Sequence, residues 1–199
     1  MNDARTRDHG SYVVLSGGVG GAKLALGLSR VVPADRLVVV VNTGDDFEHL
    51  GLSISPDLDT LMYTLAGAVD EDTGWGCRDE TWTFMDALQR LGGETWFRLG
   101  DRDLATHVRR AQLLAEGAPL SAVTATLCRR LGVRQPIVPM SDEPVRTRVI
   151  TNGDALDFQH YFVRDRAEPR VRRIEYHGAD AARPSEAALE ALQIGRAHV

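Results

Sequence analysis

The sequence predicts an α/β fold, a Rossmann-like parallel sheet with helices on both faces, followed by short strands and a hairpin in the second half. Three observations carry this. Tyr12-Val13-Val14-Leu15 is a short apolar run that breaks into the glycine-rich stretch Ser16–Lys23, and apolar residues resume at helical spacing through Leu24-Ala25-Leu26-Gly27-Leu28. Leu37-Val38-Val39-Val40-Val41 is apolar without alternation, as a strand buried on both faces should be. From Ile137 onward the apolar runs become short and often alternate, the period of half-buried strands.

Taken in order, residues 1–11 are polar and charged and read as a disordered leader, and residues 12–193 as a single domain. Strand 12–15 and a helix from Gly20 to Arg30 are followed by a turn at Pro33-Ala34-Asp35, the second strand and the acidic loop Asn42-Thr43-Gly44-Asp45-Asp46. Phe47 to Ser53 reads as a loop. Ser55-Pro56-Asp57 has the form of a helix start, with Ser as N-cap and Pro at the first helical position, and Leu58, Leu61, Met62 and Leu65 continue it. Helices are expected over 79–91, 104–116 and 119–131, the last stopped by Gly132. Strands are expected over 137–140, 146–151, 155–163 and 171–176, with a hairpin around Asn152-Gly153, and a last helix over 184–192. Residues 194–199 show no periodicity, and the sheet reads as incomplete on its C-terminal side.

Composition narrows the function. A chain of 199 residues with 43% apolar and 26% charged residues can bury a core. A net charge of −5 argues against nucleic-acid binding, which wants a basic face. No apolar run reaches membrane-spanning length, and Cys77 and Cys128 lack partners at zinc-ligand spacing, so the expectation is a cytoplasmic protein with reduced thiols.

The chemistry concentrates at strand ends. Gly17, Gly18, Gly20 and Gly21 let a backbone approach a ligand, and the amides that open the following helix favour an anion, so the loop reads as a phosphate cradle with Lys23, the only lysine, beside it. It matches neither the dinucleotide fingerprint nor the P-loop pattern, and a tight turn without a ligand is the plainer alternative. Asp45, Asp46, Asp57 and Asp59 form the densest carboxylate cluster near an early strand end. Asp57 and Asp59 are two apart and face different ways on a helix, so only one should reach a shared ligand. A divalent metal such as Mg²⁺ would use one or two of these carboxylates together with substrate phosphate. In Gly100–His107, Asp103 and His107 are four apart and hence on one helix face, either as part of a site or as a capped helix with a salt bridge. Asp142 follows another short strand. The tryptophans and Phe84 and Phe97 read as core, with Trp75, between Gly74 and Gly76, able to stack on a ring; His49 and His160 read as surface.

These motifs, in this order, resemble the 2-phospho-L-lactate transferases of deazaflavin coenzyme F-420 biosynthesis. The resemblance rests on Ser16–Lys23, Asn42–Asp46, Ile54–Thr60, Gly100–His107 and Pro139–Asp142 and spans about residues 12–190. It implies a Mg²⁺-dependent, usually homodimeric transferase. The terminal hydroxyl of the deazaflavin Fo attacks the phosphorus of lactyl-diphosphoguanosine, or of its enolpyruvyl equivalent, and GMP leaves. It further implies that the Gly17–Gly21 loop with Lys23 holds donor phosphates and that Asp45 or Asp46 binds Mg²⁺, with Asp57 a further candidate. Asp59 and Arg98 would contact Fo, and His107 and Asp142 would line the cleft. Members of that family run longer, with a Gly-Pro-Ser-Asn-Pro-like loop that helps to bind the nucleotide. The reading from a different class is a non-catalytic nucleotide-sugar or dinucleotide sensor on the same fold.

Overall fold

The computed structural model describes residues 11–194 and 196–198; the leader expected over residues 1–10 lies outside the described residues. Four strands form a parallel sheet in the order β5-β2-β1-β9, with β1 Tyr12–Ser16, β2 Leu37–Val41, β5 Ile137–Pro139 and β9 Arg196–His198. Tyr12 pairs with Leu37 and Ser16 with Val41, while Val41 also pairs with Pro139. The C-terminal ends of β1, β2 and β5 therefore share one edge. That register delivers the glycine loop, the acidic loop and Met140–Asp142 to the same side of the molecule, where open parallel sheets bind ligands.

Among the described residues there are six α-helices, α1 Gly18–Ser29, α2 Pro56–Leu65, α3 Thr83–Arg90, α4 Asp101–Ala115, α5 Leu120–Leu131 and α6 Glu186–Ile194, of which α1, α2, α5 and α6 pack on this sheet. Alternation in β1 and β2 divides the core. Val14, Val39 and Val41 face α1, α2 and α5 through Ala22, Ala25, Leu58, Leu61, Met62, Val123 and Leu127. Val13 and Val40 face the other way, against Ala188 of α6. Helices thus cover both faces, the larger cluster lying on the side of α1, α2 and α5.

A hairpin, β3 Phe47–His49 and β4 Leu52–Ile54, occupies the stretch expected to be a loop, turning through Leu50 and Gly51 at positive φ. Its apolar residues Phe47 and Ile54 join Met85 and Leu99 in a separate core cluster, flanked by Trp82, Trp96 and Phe97. His49, expected on the surface, is buried there, edge-on to Trp96 at 5.1 Å between ring centroids. A three-stranded antiparallel sheet, β7-β6-β8, follows, with β6 Arg146–Ile150, β7 Ala155–Asp157 and β8 Arg173–His177. Only residues 155–157 of the strand expected over 155–163 pair; the chain then coils into a π-turn over His160–Arg164, where Phe158 stacks on Phe162 at 5.6 Å.

Boundaries elsewhere shift for local reasons. Helix α1 begins two residues before the expected Gly20, because Gly17 alone makes the connection from β1. Helix α3 begins at Thr83 rather than 79, since Asp79 sits at φ +54°, and the carboxylate of Asp101 accepts from the Thr83 and Phe84 amides that open it. Helix α5 ends at Gly132 in the left-handed conformation, as its sequence predicts. Within the stretch that shows no periodicity in sequence, Ile194 ends α6 and Arg196–His198 form the strand β9, parallel to β1. Among the described residues, no helix is long and apolar enough to cross a membrane.

Candidate active site

A cleft of about 710 Å³ opens at the shared C-terminal edge of the sheet. Its first end is built from the loops after β1 and β2. Gly17 is extended and Gly18 stands at φ +59°, a conformation that favours glycine. A Cβ on Gly17 would stand 3.2 Å from Oδ2 of Asp57, so the close approach of backbone to carboxylate leaves little room for a side chain. The Asp57 carboxylate accepts from the Gly18 amide and, at 2.9 Å, from Nδ2 of Asn42. Oδ1 of Asn42 accepts from the Gly44 amide at 2.9 Å, which turns the acidic loop back on itself, and the Thr147 amide of β6 donates to the Gly44 carbonyl at 2.6 Å.

Two carboxylates, Asp45 and Asp57, line this end. Burial pushes the Asp45 carboxyl up and the charge of Asp57 pushes it further, against a hydrogen bond from Thr147. Burial also raises Asp57, opposed by Asn42 and the Gly18 amide. A pair of oxygen donors, both made less acidic by burial and Asp45 further by the charge of Asp57, is of the kind that can hold a divalent cation, which would relieve that repulsion. Asp46, next in sequence, turns the other way. It is buried, Oγ of Ser55 donates to its Oδ2 at 2.8 Å, its Oδ1 has no partner, and burial raises its pKa to about 8. Ser55 holds the N-cap position of α2 but spends its hydroxyl on Asp46, so the helix has no side-chain cap from it.

The second end is a buried charge network. Arg110, 1% exposed, holds Asp59 through both guanidinium nitrogens. Its Nη1 also lies 3.0 Å from Nδ1 of His107 and 3.3 Å from the Ser53 carbonyl. Nε2 of His107 stands 3.1 Å from Oδ1 of Asp103, outside hydrogen-bond alignment, and the Tyr63 hydroxyl donates to that same oxygen at 2.7 Å. Burial alone would raise the Asp103 carboxyl, but His107, Tyr63 and the charge of Arg110 together bring it below the usual range. Asp59, Asp103 and His107 each offer an atom within 4.8 Å of the others, a spacing compatible with a divalent metal. Arg110 already neutralises Asp59 there, so the demand for a cation is weaker than at Asp45 and Asp57. The cleft is also lined by the aromatic side chains of Trp75, Phe97, Phe158 and Phe162, of which Trp75 is 52% and Phe162 58% exposed.

The sequence model of the family described as 2-phospho-L-lactate transferase CofD matches residues 12–197. The chain belongs to the CofD family. It is 46% identical over 185 residues to a phosphoenolpyruvate transferase of Streptomyces griseus, a match covering 90% of this chain and 58% of the relative. Its identity to a phosphoenolpyruvate transferase of Mycolicibacterium smegmatis is 45% over 195 residues, covering 90% of this chain and 60% of the relative. The chain thus spans less than two thirds of these curated relatives. Its fold is similar to that of a solved UPF0052-family protein from Bacillus halodurans, with TM-score 0.57 at 16% identity, covering 93% of this chain and 56% of that one.

In this CofD-family chain, Gly17, Gly18, Asp45, Asp57, Asp59, Arg98 and His107 all line the cleft, and Asp57 and Asp59 serve different ends of it. Gly20, Gly21, Lys23, Asp46 and Asp142 are not among the lining residues. Gly21 is a packing glycine, since a Cβ there would meet Oγ of Ser16 at 2.2 Å. Gly20 has open space around it. Lys23 falls on the exposed side of α1 because Ala22 and Ala25 take the sheet-facing side. Asp142 accepts from the amide and hydroxyl of Ser121, at 2.7 and 3.0 Å, and so caps α5 from outside. Arg98 rests over the Trp82 ring, 4.1 Å from its centroid. Sequence reasoning missed Arg110 and Tyr63. Asp103, His107 and Arg110 follow the i, i+4, i+7 spacing of one helix stripe, which was the signal available for Arg110.

Proposed function

We propose that this chain is a Mg²⁺-dependent transferase that moves 2-phospholactate or phosphoenolpyruvate from its guanosine-diphosphate conjugate to the terminal hydroxyl of the deazaflavin Fo, with release of GMP. The observation that carries this reading is one cleft joining a backbone-lined carboxylate end to an aromatic wall and a polar far end. The glycine end suits an anionic diphosphate beside a metal. The wall of Trp75, Phe97, Phe158 and Phe162 suits a planar ring system. A sensor of nucleotides alone would not require the polar cluster at the far end. The names of the relatives support the enolpyruvyl donor over the lactyl one.

Asp45 and Asp57 are the residues that would hold the divalent ion; when bound it supplies positive charge against the diphosphate. Gly17 and Gly18 bring the backbone to the donor, and Asn42 keeps Asp57 in place. Asp59 and Arg98 hold the acceptor. The acceptor oxygen forms its bond to phosphorus as the bond to GMP breaks; its proton leaves to a carboxylate, and GMP carries away the electron pair. Positioning and charge neutralisation supply most of the catalysis in such transfers, so no covalent nucleophile is needed. A homodimer belongs to the same reading, and sedimentation would test it.

The test is incubation of the chain with Fo, Mg²⁺ and each donor in turn, followed by mass analysis. The expected result is an Fo adduct carrying one phospho-organic acid, with an equal amount of GMP. Failure to form an adduct with either donor, in protein shown to be folded, would overturn the reading.

A further inference from the structure

The buried network at the second end of the cleft constrains the protonation of His107. An arginine side chain carries donors and no acceptor. With Nη1 of Arg110 3.0 Å from Nδ1 of His107, that ring nitrogen must accept. The ring proton then sits on Nε2, the atom 3.1 Å from Oδ1 of Asp103. The neighbouring side chains of Asp59 and Tyr63 agree with this polarity. Asp59, whose Oδ2 is 3.7 Å from Nδ1, is already bound through both oxygens by Arg110. Tyr63 donates its hydroxyl to Asp103 and not to the ring. His107 is 1% exposed, so water is in no position to reverse the arrangement.

We propose that Arg110 is a positioning residue that fixes His107 as its Nε2–H tautomer, making the imidazole a proton-bearing partner of Asp103 rather than the base of the reaction. The inference rests on the transferase reading for its chemical consequence. Oδ1 of Asp103 accepts from Tyr63 and has Nε2 of the imidazole 3.1 Å away, so its other oxygen is the one left to a ligand in the cleft. The hydrogen of the acceptor hydroxyl passes to this carboxylate as the oxygen–phosphorus bond forms, and His107 holds its own proton throughout. Arg110 touches no substrate; it acts through Asp59 and His107.

Long-range proton–nitrogen spectra of the full ¹⁵N-labelled chain at neutral pH decide the tautomer without any substrate, His107 being assigned by its loss in His107→Gln. The expected pattern is an unprotonated Nδ1 and a protonated Nε2. A protonated Nδ1, alone or together with Nε2, would overturn the proposal. In Arg110→Met the Nδ1 resonance should move as its donor disappears. Should that variant fail to fold, Asp59→Asn combined with Arg110→Met removes both charges and serves instead. An unmoved Nδ1 in either folded protein counts against Arg110. In the transfer assay His107→Gln, which keeps a donor where Nε2 was, should retain kcat to within about tenfold. A fall of roughly 100-fold or more, the scale of losing a general base, would make His107 the base after all. Absence of transfer by the parent chain, with the expected tautomer observed, would remove the transferase reading and leave the Arg110 lock standing.

Discussion

The two ends of the cleft use aspartates in opposite ways. At the glycine end Asp45 and Asp57 line the cleft, held by Thr147, Asn42 and a backbone amide, and burial leaves both less acidic than usual. At the far end Asp59 meets a buried arginine at both oxygens, and Asp103 is pulled below the usual range by its neighbours. One end has charge to be satisfied by something that arrives; the other has already satisfied its own. Buried carboxylates therefore do not by themselves mark a metal site, and the identity of the nearest cation separates the two cases.

The sharpest way to break this contrast is at Arg110. Arg110→Met leaves Asp59 buried and unpaired and should cost about 3–5 kcal/mol of stability in urea unfolding. Asp57→Asn should cost far less, yet weaken Mg²⁺ binding by at least ~10-fold in titration calorimetry; if it destabilised as much as Arg110→Met, the two ends would not differ in kind. Asp46 tests the region behind the cleft. Its folded pKa of about 8 lies above the unfolded value of about 4, so the native state holds a proton that the unfolded chain has released. Stability from this group is fully present below pH 4 and declines as pH rises to 8, and Asp46→Asn should flatten that part of the pH profile of the melting temperature. Asp142→Ala removes an outside cap and should cost about 1 kcal/mol, with Fo affinity unchanged because the residue does not line the cleft. Trp75→Ala should weaken Fo binding by about 0.5–1.5 kcal/mol in a fluorescence titration, with no change in Mg²⁺ affinity.

The parallel strands were legible because Tyr12–Leu15 and Leu37–Val41 are short, apolar and bounded by glycine or turn residues. The loops that follow them carried the glycine end of the cleft in plain view. What sequence could not settle is which neighbour in a loop points inward. Asp45 reaches the cleft and Asp46 the interior, a choice made by the docking of Thr147 from a distant segment and of Ser55 from the start of α2. Lys23 and Asp142 drew attention by chemistry alone, but helix periodicity turns one outward and the amide of Ser121 claims the other. The β3–β4 hairpin escaped notice because strands of three residues carry almost no periodicity. Arg110 escaped because an arginine within a polar helix reads as solvated unless the partner awaiting it, Asp59 some fifty residues earlier, is known.

The guanidinium of Arg98 parked over the Trp82 indole gives the protein an optical reporter of its own. Any ligand that draws Arg98 forward into the cleft must uncover that ring, and the indole emission will shift with occupancy. Comparing the signal with that of Trp82→Phe isolates it from the other two tryptophans. Ligand occupancy of the cleft can then be followed in real time with no label attached.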